Sequence, residues 1–499
     1  MSNERRPGLV VLQGNRLEQL AAVVAQWLHR DPLPPLVHEV FLVQSHGMAE
    51  WLKMALAHDG GICAAARMEL PARFVWRAMR AVLGRDAVPA ASPLDKAALT
   101  WRLVRLLPAL HGAIWEPLHT AWVSAAQSAA ESAADVAGAP LRRLRLAQRL
   151  ADLYDQYQVY RADWLDDWAA GRDRLTHPVV GPRAAREVPA DQLWQPALWR
   201  ELLQELEGPL QQAVRPALHQ RFIQALQRRR DPPWPQLPQR VVLFGTPHLP
   251  HQTMHALLAL SAHIQVLLAV PNPCRYHWAD TLDGRELLAQ ATRRQPLRGG
   301  FDLAQLPLQA MHAHGHPLLA AWGRQARDFV RQLDAFDDAE QTRARFPLAR
   351  IDLFDDDQDT HDVAQPTLLV QVQRHIRDLT PLAEHPHPPV PAEDRSIVFH
   401  LAHSPVRELE ILHDQLLALL ARPPGDKPLR PRDIVVMVPS IDDFAPAIRA
   451  VFGQYGRHDP RHIPFDIADL SARASSPLMG AVEWLLRIRH DRCRLSDLG

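Results

Sequence analysis

The segment ADLYDQYQVYRADWLDDW, residues 151–168, combines aromatic rings with short acidic and amide side chains. Its spacing predicts a helix. At a 3.6-residue period one side carries an apolar stripe of Leu153, Tyr157, Tyr160, Trp164 and Trp168. The adjoining side carries Asp152, Asp155 and Gln156, with Arg161 farther along the chain. The stripe is most simply explained as core packing of a helical bundle.

The polar side of this helix has the chemistry to read the edges of nucleic-acid bases. Glutamine pairs with adenine, aspartate accepts a hydrogen bond from cytosine, and arginine forks onto guanine. A solvated helix face is the simpler interpretation of the same residues, because charged faces are ordinary in folded proteins. The spacing alone therefore assigns no function to this helix.

Two further clusters contain side chains of the types that bind metal ions in other proteins. FDDDQDTHD places Asp355, Asp357 and Asp359 at alternate positions, as in a calcium loop. Thr360 and Pro366 stand where that loop requires glycine and glutamate. The motif HAHGHP lies in a predicted loop without partnering carboxylates, and its histidines are His312, His314 and His316. We therefore expect a solvated acidic loop and no specific metal site at either place.

A phosphate-binding loop is absent from the sequence. Motor ATPases built on parallel sheets carry G-x-x-x-x-G-K-[ST] after the first strand, where backbone N–H groups and the lysine hold phosphates. Here the first predicted strand continues into QGNRLEQL, and no Gly-Lys pair occurs in the chain. The later strand VVLFGTPH lacks acidic residues for magnesium. No Ser/His/Asp series or nuclease pattern has local support, so we expect no catalytic site.

The composition restricts the class of protein. Basic and acidic residues both number 56, so the formal net charge is zero, which argues against a generally basic nucleic-acid coat. The cysteines Cys63, Cys274 and Cys493 are far apart, which argues against a disulfide framework, a zinc site or an iron–sulfur cluster. No apolar run is long enough to span a bilayer, and no signal peptide is evident. We therefore expect a cytoplasmic protein.

The elements that would position these residues follow an α/β pattern. GLVVLQG and HEVFLVQS predict buried strands, each followed by a predicted helix, which indicates a parallel sheet. From about Asp95 to Arg230 the strand signals vanish, and segments with helix spacing predict a helical insertion. The strand RVVLFG, the helix HQTMHALLALSAH and the strand IQVLLAVPNP then resume the sheet.

A second α/β domain is predicted near the end of the sequence. SIVFHLAHS predicts a strand, PVRELEILHDQLLALLAR a helix, and RDIVVMVPS another strand. The sequence stops at RLSDLG without an evident closing element, so we expect the natural polypeptide to continue. The predicted domains are residues 1–95, the helical insertion 96–235, the remainder of the first domain 236–375, and the start of the second domain 396–499.

Several long segments resemble RecC, the gamma subunit of bacterial exodeoxyribonuclease V, the RecBCD complex. They follow one another in the family's order: FLVQSHGMAEWLKMALA, LPARFVW, ADLYDQYQVYRADWL, NPCRYHW, HPLLAAWGRQARDF, HSPVRELEILHDQLLAL, RPRDIVVMV and ARASSPLMGAVEWLL. Family members are longer, so the chain resembles their N-terminal half. The resemblance implies a helicase-like α/β fold of superfamily 1 type with degenerate ATPase motifs.

The resemblance also implies a role in DNA repair. The family's complex processes double-strand DNA ends for homologous recombination, and this subunit channels the unwound strands and recognises the Chi octamer in the 3′-ended strand. The expected partners are a RecB-like helicase/nuclease and a RecD-like helicase in a heterotrimer, together with DNA ends and single-stranded DNA, and no membrane. We expect no cofactor on this chain, with ATP and Mg on the partner subunits.

Chi-contacting positions of the family carry over where the local motif matches. In ADLYDQYQVYR they are Asp152, Leu153, Asp155, Gln156 and Arg161. In LPARFVW they are Leu70 and Trp76, and just before HQRFI the position is Arg215. The resemblance thus implies that the polar side of the helix faces a single strand, while Trp76 supplies a stacking surface.

Two alternatives remain open. One is a subunit like AddB, which carries its own nuclease and an iron–sulfur cysteine set, and the cysteine count argues against it. The other is a scaffold on an inactive helicase-like fold that does not recognise DNA sequence. Substitution of Asp155 and Gln156 distinguishes that scaffold from a subunit that reads bases.

Overall fold

The structure is a computed structural model. It describes residues 7–127, 133–177, 181–206, 208–228, 234–276, 278, 316–336, 350–354, 366–380, 389–422, 428–470 and 476–487. The chain forms two compact units, Met1–Pro391 and Ala392–Gly499. The finer division of the first unit into the predicted ranges 1–95, 96–235 and 236–375 stays a prediction.

A parallel sheet lies at the centre of the first unit. Its strands are β1 (Gly8–Gly14), β2 (Glu39–Leu42), β3 (Ala66–Glu69), β6 (Arg240–Phe244), β7 (Gln265–Pro271) and β8 (Arg350–Leu353). They follow the order β3-β2-β6-β7-β1-β8, and every neighbouring pair is parallel. The predicted α/β class with a parallel sheet is confirmed.

The central strands are apolar along most of their length, apart from residues near their ends such as Arg240 and Gln265, because helices cover both faces of the sheet. In β6, Val241 and Leu243 pack into one core, and Val242 and Phe244 into the opposite one. The second of these cores is covered by α1 (Leu17–Arg30) and α2 (His46–Gly60). The first is covered by α3 (Pro71–Leu83), α10 (Arg215–Arg228) and α11 (His251–Leu260).

The region between α3 and α10 is mainly helical, as predicted. Its helices are α4 (Lys96–Leu106), α5 (Glu116–Gln127), α6 (Ala133–Tyr160), α7 (Ala162–Ala169), α8 (Trp194–Gln204) and the short α9 (Gly208–Gln211). They have their own core, which includes Tyr154, Trp168 and Trp199. This core holds α6, which carries most of the predicted site.

The prediction that strands are absent from this region was wrong. An antiparallel hairpin of β4 (Arg174–His177) and β5 (Gly181–Glu187) follows α7. Its sequences, RLTH and GPRAARE, are polar and arginine-rich, so they lack the apolar alternation that signals a strand. Strands β3 and β8 were likewise not predicted, because two of the four residues in each, ARME and RIDL, are charged.

The described part of the first unit has three further helices, two of them before β8 and one after it. They are α12 (Pro317–Trp322), α13 (Arg324–Phe336) and α14 (Leu368–Arg377). The segment HPLLAAWGRQARDFVRQL is helical, with a break at Gly323. A Cβ at Gly323 would lie 2.9 Å from the Trp278 ring, which explains why a residue without a side chain fits there.

The second unit contains the predicted helix but not the predicted strands. Its described helices are α15 (Pro405–Ala421), α16 (Ile441–Phe452) and α17 (Pro477–Arg487). SIVFHLAHS and RDIVVMVPS form no strand, and their side chains are largely exposed, with Phe399 88%, Leu401 97% and Met437 89% exposed. A parallel strand requires bonded neighbours and covering layers. The described part of this unit provides no such neighbours.

Candidate nucleic-acid interface

The segment 151–168 forms two helices. Helix α6 ends at Tyr160, and Arg161 has a non-helical conformation (φ −136°, ψ 43°) before α7 begins. The side-chain phase of α7 therefore does not continue that of α6. Tyr157, Trp164 and Trp168 do contribute to the core as predicted, but Tyr160 is 49% exposed. The predicted single stripe was wrong at that residue.

Aromatic contacts fix α6 against α8. Tyr154 is fully buried and stacks on Trp199, with ring centroids 6.0 Å apart. Its hydroxyl donates to the carbonyl of Gln195 at 2.7 Å, and the Tyr157 hydroxyl donates to Oε1 of the same residue at 2.7 Å. Burial raises the pKa of Tyr154 well above its usual value, so the phenol remains a donor. These contacts position the polar side of α6.

Two acidic side chains on α6 are paired with cations from other helices. Asp152 forms an ion pair with Lys96 at the start of α4. Arg215, the first residue of α10, donates from Nη1 to Asp155 at 3.3 Å and from Nη2 to Asp95 at 2.7 Å. We call Asp95, Lys96, Asp152, Asp155 and Arg215 the ionic chain. It joins three helices on one surface.

The ionic chain is accessible to solvent. The side chains of Asp95, Asp155 and Arg215 are each about one third exposed, and that of Asp152 is 46% exposed. The hydrogen bond to Asp152 raises the pKa of Lys96, which keeps its ammonium group charged. Three carboxylates face two cations here, so the ionic chain has a formal charge of −1. The carboxylates of the ionic chain repel phosphate, whereas they attract the amino groups of bases, which donate hydrogen bonds.

Gln156 lies beside the ionic chain and is exposed. Within the described residues, its side-chain amide makes no hydrogen bond. Leu153 is half-buried on the same helix. The donors and the acceptor of Gln156 are thus all available to DNA without breaking an existing bond within the described residues.

A connector between α3 and α4 ties α6 to the other predicted contact residues. The buried Gln158 donates to the carbonyl of Leu94 at 2.9 Å. Trp76 on α3 donates from Nε1 to the carbonyl of Pro89 at 3.1 Å, and its ring is half-buried. Leu70 precedes α3 and is 37% exposed. No hydrogen bond or ion pair of the described chain joins Leu70 or Trp76 to α6 itself.

Arg161 is separate from the ionic chain. Its guanidinium donates to both carboxylate oxygens of Asp163 at 3.0 and 2.8 Å, and to the carbonyl of Thr176. It also lies 3.7 Å from the centroid of the Trp164 ring. These bonds join the α6–α7 junction to β4. All of them come from Nε and Nη2, so within the described residues Nη1 can donate to a ligand while they stay in place.

The structure adds two residues that sequence reasoning did not select, Asp95 and Lys96. Both lie at the start of α4, far from α6 in sequence, so no local pattern could reveal their contacts. The one available signal was composition, because Lys53, Lys96 and Lys427 are the only lysines in the chain.

The metal interpretations find no support among the described residues, where no group of three or more metal-ligating side chains occurs. Asp355, Asp357, Asp359, His312 and His314 lie outside the described residues. His316 is buried, and its Nδ1 accepts the N–H of Leu318 at 3.2 Å, which caps α12. None of the described helices has the length and apolarity that crossing a membrane requires.

Comparison with known proteins identifies relatives over most of the chain. Residues 9–379 match the family model described as RecC, N-terminal domain. The chain is 35% identical over 518 residues to the RecBCD enzyme subunit RecC of Escherichia coli (strain K12), covering 98% of this chain and 42% of that protein. For the proteins of the same name from Haemophilus influenzae and Mycolicibacterium smegmatis the identities are 30% and 29%, over 98% and 97% of this chain. The chain spans less than half the length of these relatives.

Proposed function

This chain belongs to the RecC family, and on that premise we propose that it is part of a non-catalytic subunit of a RecBCD-type helicase/exonuclease. Such a complex processes double-strand DNA ends for homologous recombination. The proposed partners are a RecB-like helicase/nuclease and a RecD-like helicase, with DNA ends and single-stranded DNA as ligands. The identity over nearly the whole chain supports this assignment.

We further propose a helicase-like sheet without nucleotide chemistry. Ligands of open parallel sheets bind outside the carboxyl ends of the strands. At the ends of β1 and β7 this space is closed by the chain itself, because the buried Asn272 donates from Nδ2 to Gln13 Oε1 at 2.8 Å. Trp278 donates to the Asn272 amide oxygen at 3.0 Å. This closure and the missing phosphate loop support an assignment of ATP and magnesium to the partner subunits.

The observation that supports recognition of a DNA sequence is the polar surface of α6. Asp152, Asp155 and Gln156 offer acceptors and an amide of the types that read base edges. The formal charge of −1 disfavours tight contact with the phosphate backbone, which would give affinity without sequence information. The side chains can turn from the ion pairs to a base, since exposed ion pairs contribute only about 0–1 kcal/mol. We propose that this surface reads Chi in the unwound 3′-ended strand.

Trp76 and Leu70 fit a supporting role in the same interface. A half-buried indole offers one face for a base to stack on, and stacking contributes about 1–3 kcal/mol per base. The bond to Pro89 fixes the orientation of the ring. This contact tolerates any base, so it contributes affinity rather than sequence preference.

The test uses the full-length protein purified with its partner subunits. Linear duplex DNA carrying a randomised octamer is digested with ATP, and the surviving products are sequenced to identify octamers that change degradation. We expect the wild-type complex to select one octamer. Asp155→Ala and Gln156→Ala each should lower the preference at the base they contact, by about 1–3 kcal/mol.

The control for these variants is Lys53→Met on α2. Lys53 forms an exposed pair with Glu50 at 2.8 Å, outside the ionic chain. It should leave the octamer preference unchanged. If both α6 variants assemble with the partners and keep the full preference, the chain is a scaffold at this surface and the base-reading proposal is wrong.

A further inference from the structure

We propose that Asp95 and Lys96 are positioning residues that orient the base-reading carboxylates. Lys96 orients Asp152 directly, and Asp95 orients Asp155 through Arg215. This inference rests on the proposed function, because it concerns how the same surface reaches its sequence preference. Neither residue belongs to the set that the family resemblance supplied.

Asp95 is held rigidly by its own connector. Its Oδ2 accepts the backbone N–H of Ser92 at 3.0 Å, while Oδ1 accepts Nη2 of Arg215 at 2.7 Å. The Leu94 carbonyl next to it is bonded to the buried Gln158 of α6. Asp95 therefore has a fixed position relative to α6, and its hydrogen bond to Arg215 fixes the position of that guanidinium as well.

Arg215 divides its guanidinium unequally between two carboxylates. The bond to Asp95 is 2.7 Å long, and the bond to Asp155 is 3.3 Å long. The shorter bond makes Asp95 the anchor, since charge-assisted hydrogen bonds strengthen as they shorten into this range. Asp155 has no other hydrogen bond or ion pair within the described residues. It can therefore turn to a base amino group while Arg215 stays beside it.

Lys96 acts on Asp152 directly, and the small size of its ammonium group is what matters there. Its ammonium contacts Oδ1 of Asp152, and within the described residues Oδ2 has no hydrogen bond or ion pair. Lysine is a compact point charge, whereas the arginine fork tends to cover both oxygens of a carboxylate. In a chain whose 56 basic residues include only three lysines, a lysine here keeps one acceptor of Asp152 open.

The two arms of this proposal act at different base positions. Loss of Lys96 should disturb mainly the base read by Asp152, its direct partner, and more weakly the base read by Asp155, whose charge also acts on Lys96. Loss of Asp95 should disturb the base read by Asp155. A residue that only stabilised the fold would lower assembly or activity on all sequences alike. The sequence preference at single positions therefore separates positioning from a structural role.

The test measures octamer preference in the full-length complex for Lys96→Met and Asp95→Asn. Each variant should reduce the preference at one base position by roughly threefold to tenfold, as expected for coupled neighbours. Lys96→Arg should keep overall DNA affinity but still reduce the preference at the Asp152 position, because it covers both oxygens. Lys53→Met is the matched control and should change nothing.

A double variant tests the indirect role of Asp95. Asp95→Asn should have no further effect in an Arg215→Met background, because Asp95 acts through Arg215. If Asp95→Asn and Arg215→Met lower the octamer preference additively, Asp95 does not act through Arg215. If Lys96→Met leaves the octamer preference unchanged, Lys96 does not orient Asp152. If Asp155→Ala and Gln156→Ala also leave the preference unchanged, the proposed base reading by this surface is wrong. If these two variants lower the preference, base reading stands and only the positioning role of Asp95 and Lys96 is wrong.

Discussion

Two arginines of this protein each hold two carboxylates, and they differ in burial. Arg240, at the start of the central strand β6, is fully buried and pairs with Glu39 and Asp31. Arg215, at the start of α10, is about one third exposed and pairs with Asp95 and Asp155. The chemistry of the two clusters is the same. The two clusters differ in their exposure to solvent, and therefore in how easily their ion pairs can exchange.

Burial fixes the first cluster and leaves the second free to exchange partners. A buried charge that loses its partners is left without compensation, because water cannot reach it. Nη2 of Arg240 also donates to the carbonyl of Asp31 at 3.0 Å, which joins α1 to the sheet. The Arg215 cluster stays in contact with water, so Asp155 can exchange its bond to Arg215 for a bond to a ligand at little cost. The first cluster stabilises the fold and the second is available for recognition.

The largest expected effect comes from the buried cluster. Arg240→Met breaks an ion pair whose arginine is fully buried, and should lower the free energy of unfolding by about 3 kcal/mol, the lower end for a buried pair, because the Glu39 side chain left behind is 16% exposed. Denaturant unfolding of the purified protein measures this. A loss below 1 kcal/mol would mean that water compensates Glu39, and the contrast between the two clusters would disappear.

The packing between α10 and α11 should respond to acid. Nε2 of the buried His219 lies 3.2 Å from Nδ1 of His255, and His251 lies next to His255. Burial and then the charges of these two histidines lower the pKa of His219 from 6.5 to about 4. Asp163 on α7 has the opposite effect on His251, whose pKa is nevertheless lowered by burial.

The sign of the pH effect follows from this shift. Between pH 6.5 and about 4 the unfolded chain binds a proton at this histidine that the folded protein excludes. The stability contribution is present above pH 6.5 and is lost as the pH falls, by up to about 3 kcal/mol. Unfolding measured from pH 7 to pH 4 should show this loss, and His219→Phe should reduce it. An equal pH dependence in both proteins would assign the loss to other groups.

A smaller effect is expected where α6 is anchored. Tyr154→Phe removes the hydroxyl that donates to the Gln195 carbonyl but keeps the ring stacked on Trp199. We expect a loss of about 1 kcal/mol in unfolding free energy, with the octamer preference unchanged. A changed preference without a loss of stability would show that α6 is oriented by this bond rather than by its packing.

The sequence predicted the centre of the fold better than its edges. GLVVLQG and RVVLFG are continuous apolar runs, and both are central strands of the sheet. The same signal was misleading in SIVFHLAHS and RDIVVMVPS, because strand formation depends on neighbours that the local sequence does not describe. The hairpin β4–β5 was missed for the opposite reason, since its strands are polar.

The residues of the candidate site stay a prediction from the family resemblance, and their contacts could not be predicted from the sequence. Asp155, Gln156 and Arg215 followed from the family resemblance. The pairing of Arg215 with Asp155 and Asp95 spans 60 and 120 residues, so only the tertiary structure brings these side chains together. The resemblance also could not show that Arg161 is held by Asp163 and Thr176, apart from the ionic chain.

The most direct test of this account measures stability and base preference together in Arg215→Met. The exposed cluster predicts an unfolding free energy within about 1 kcal/mol of wild type. It also predicts a full-length complex that assembles with its partners but has lost the octamer preference at the bases read near Asp155. A variant that unfolds like Arg240→Met, or that keeps the full preference, would contradict the claim that this surface serves recognition.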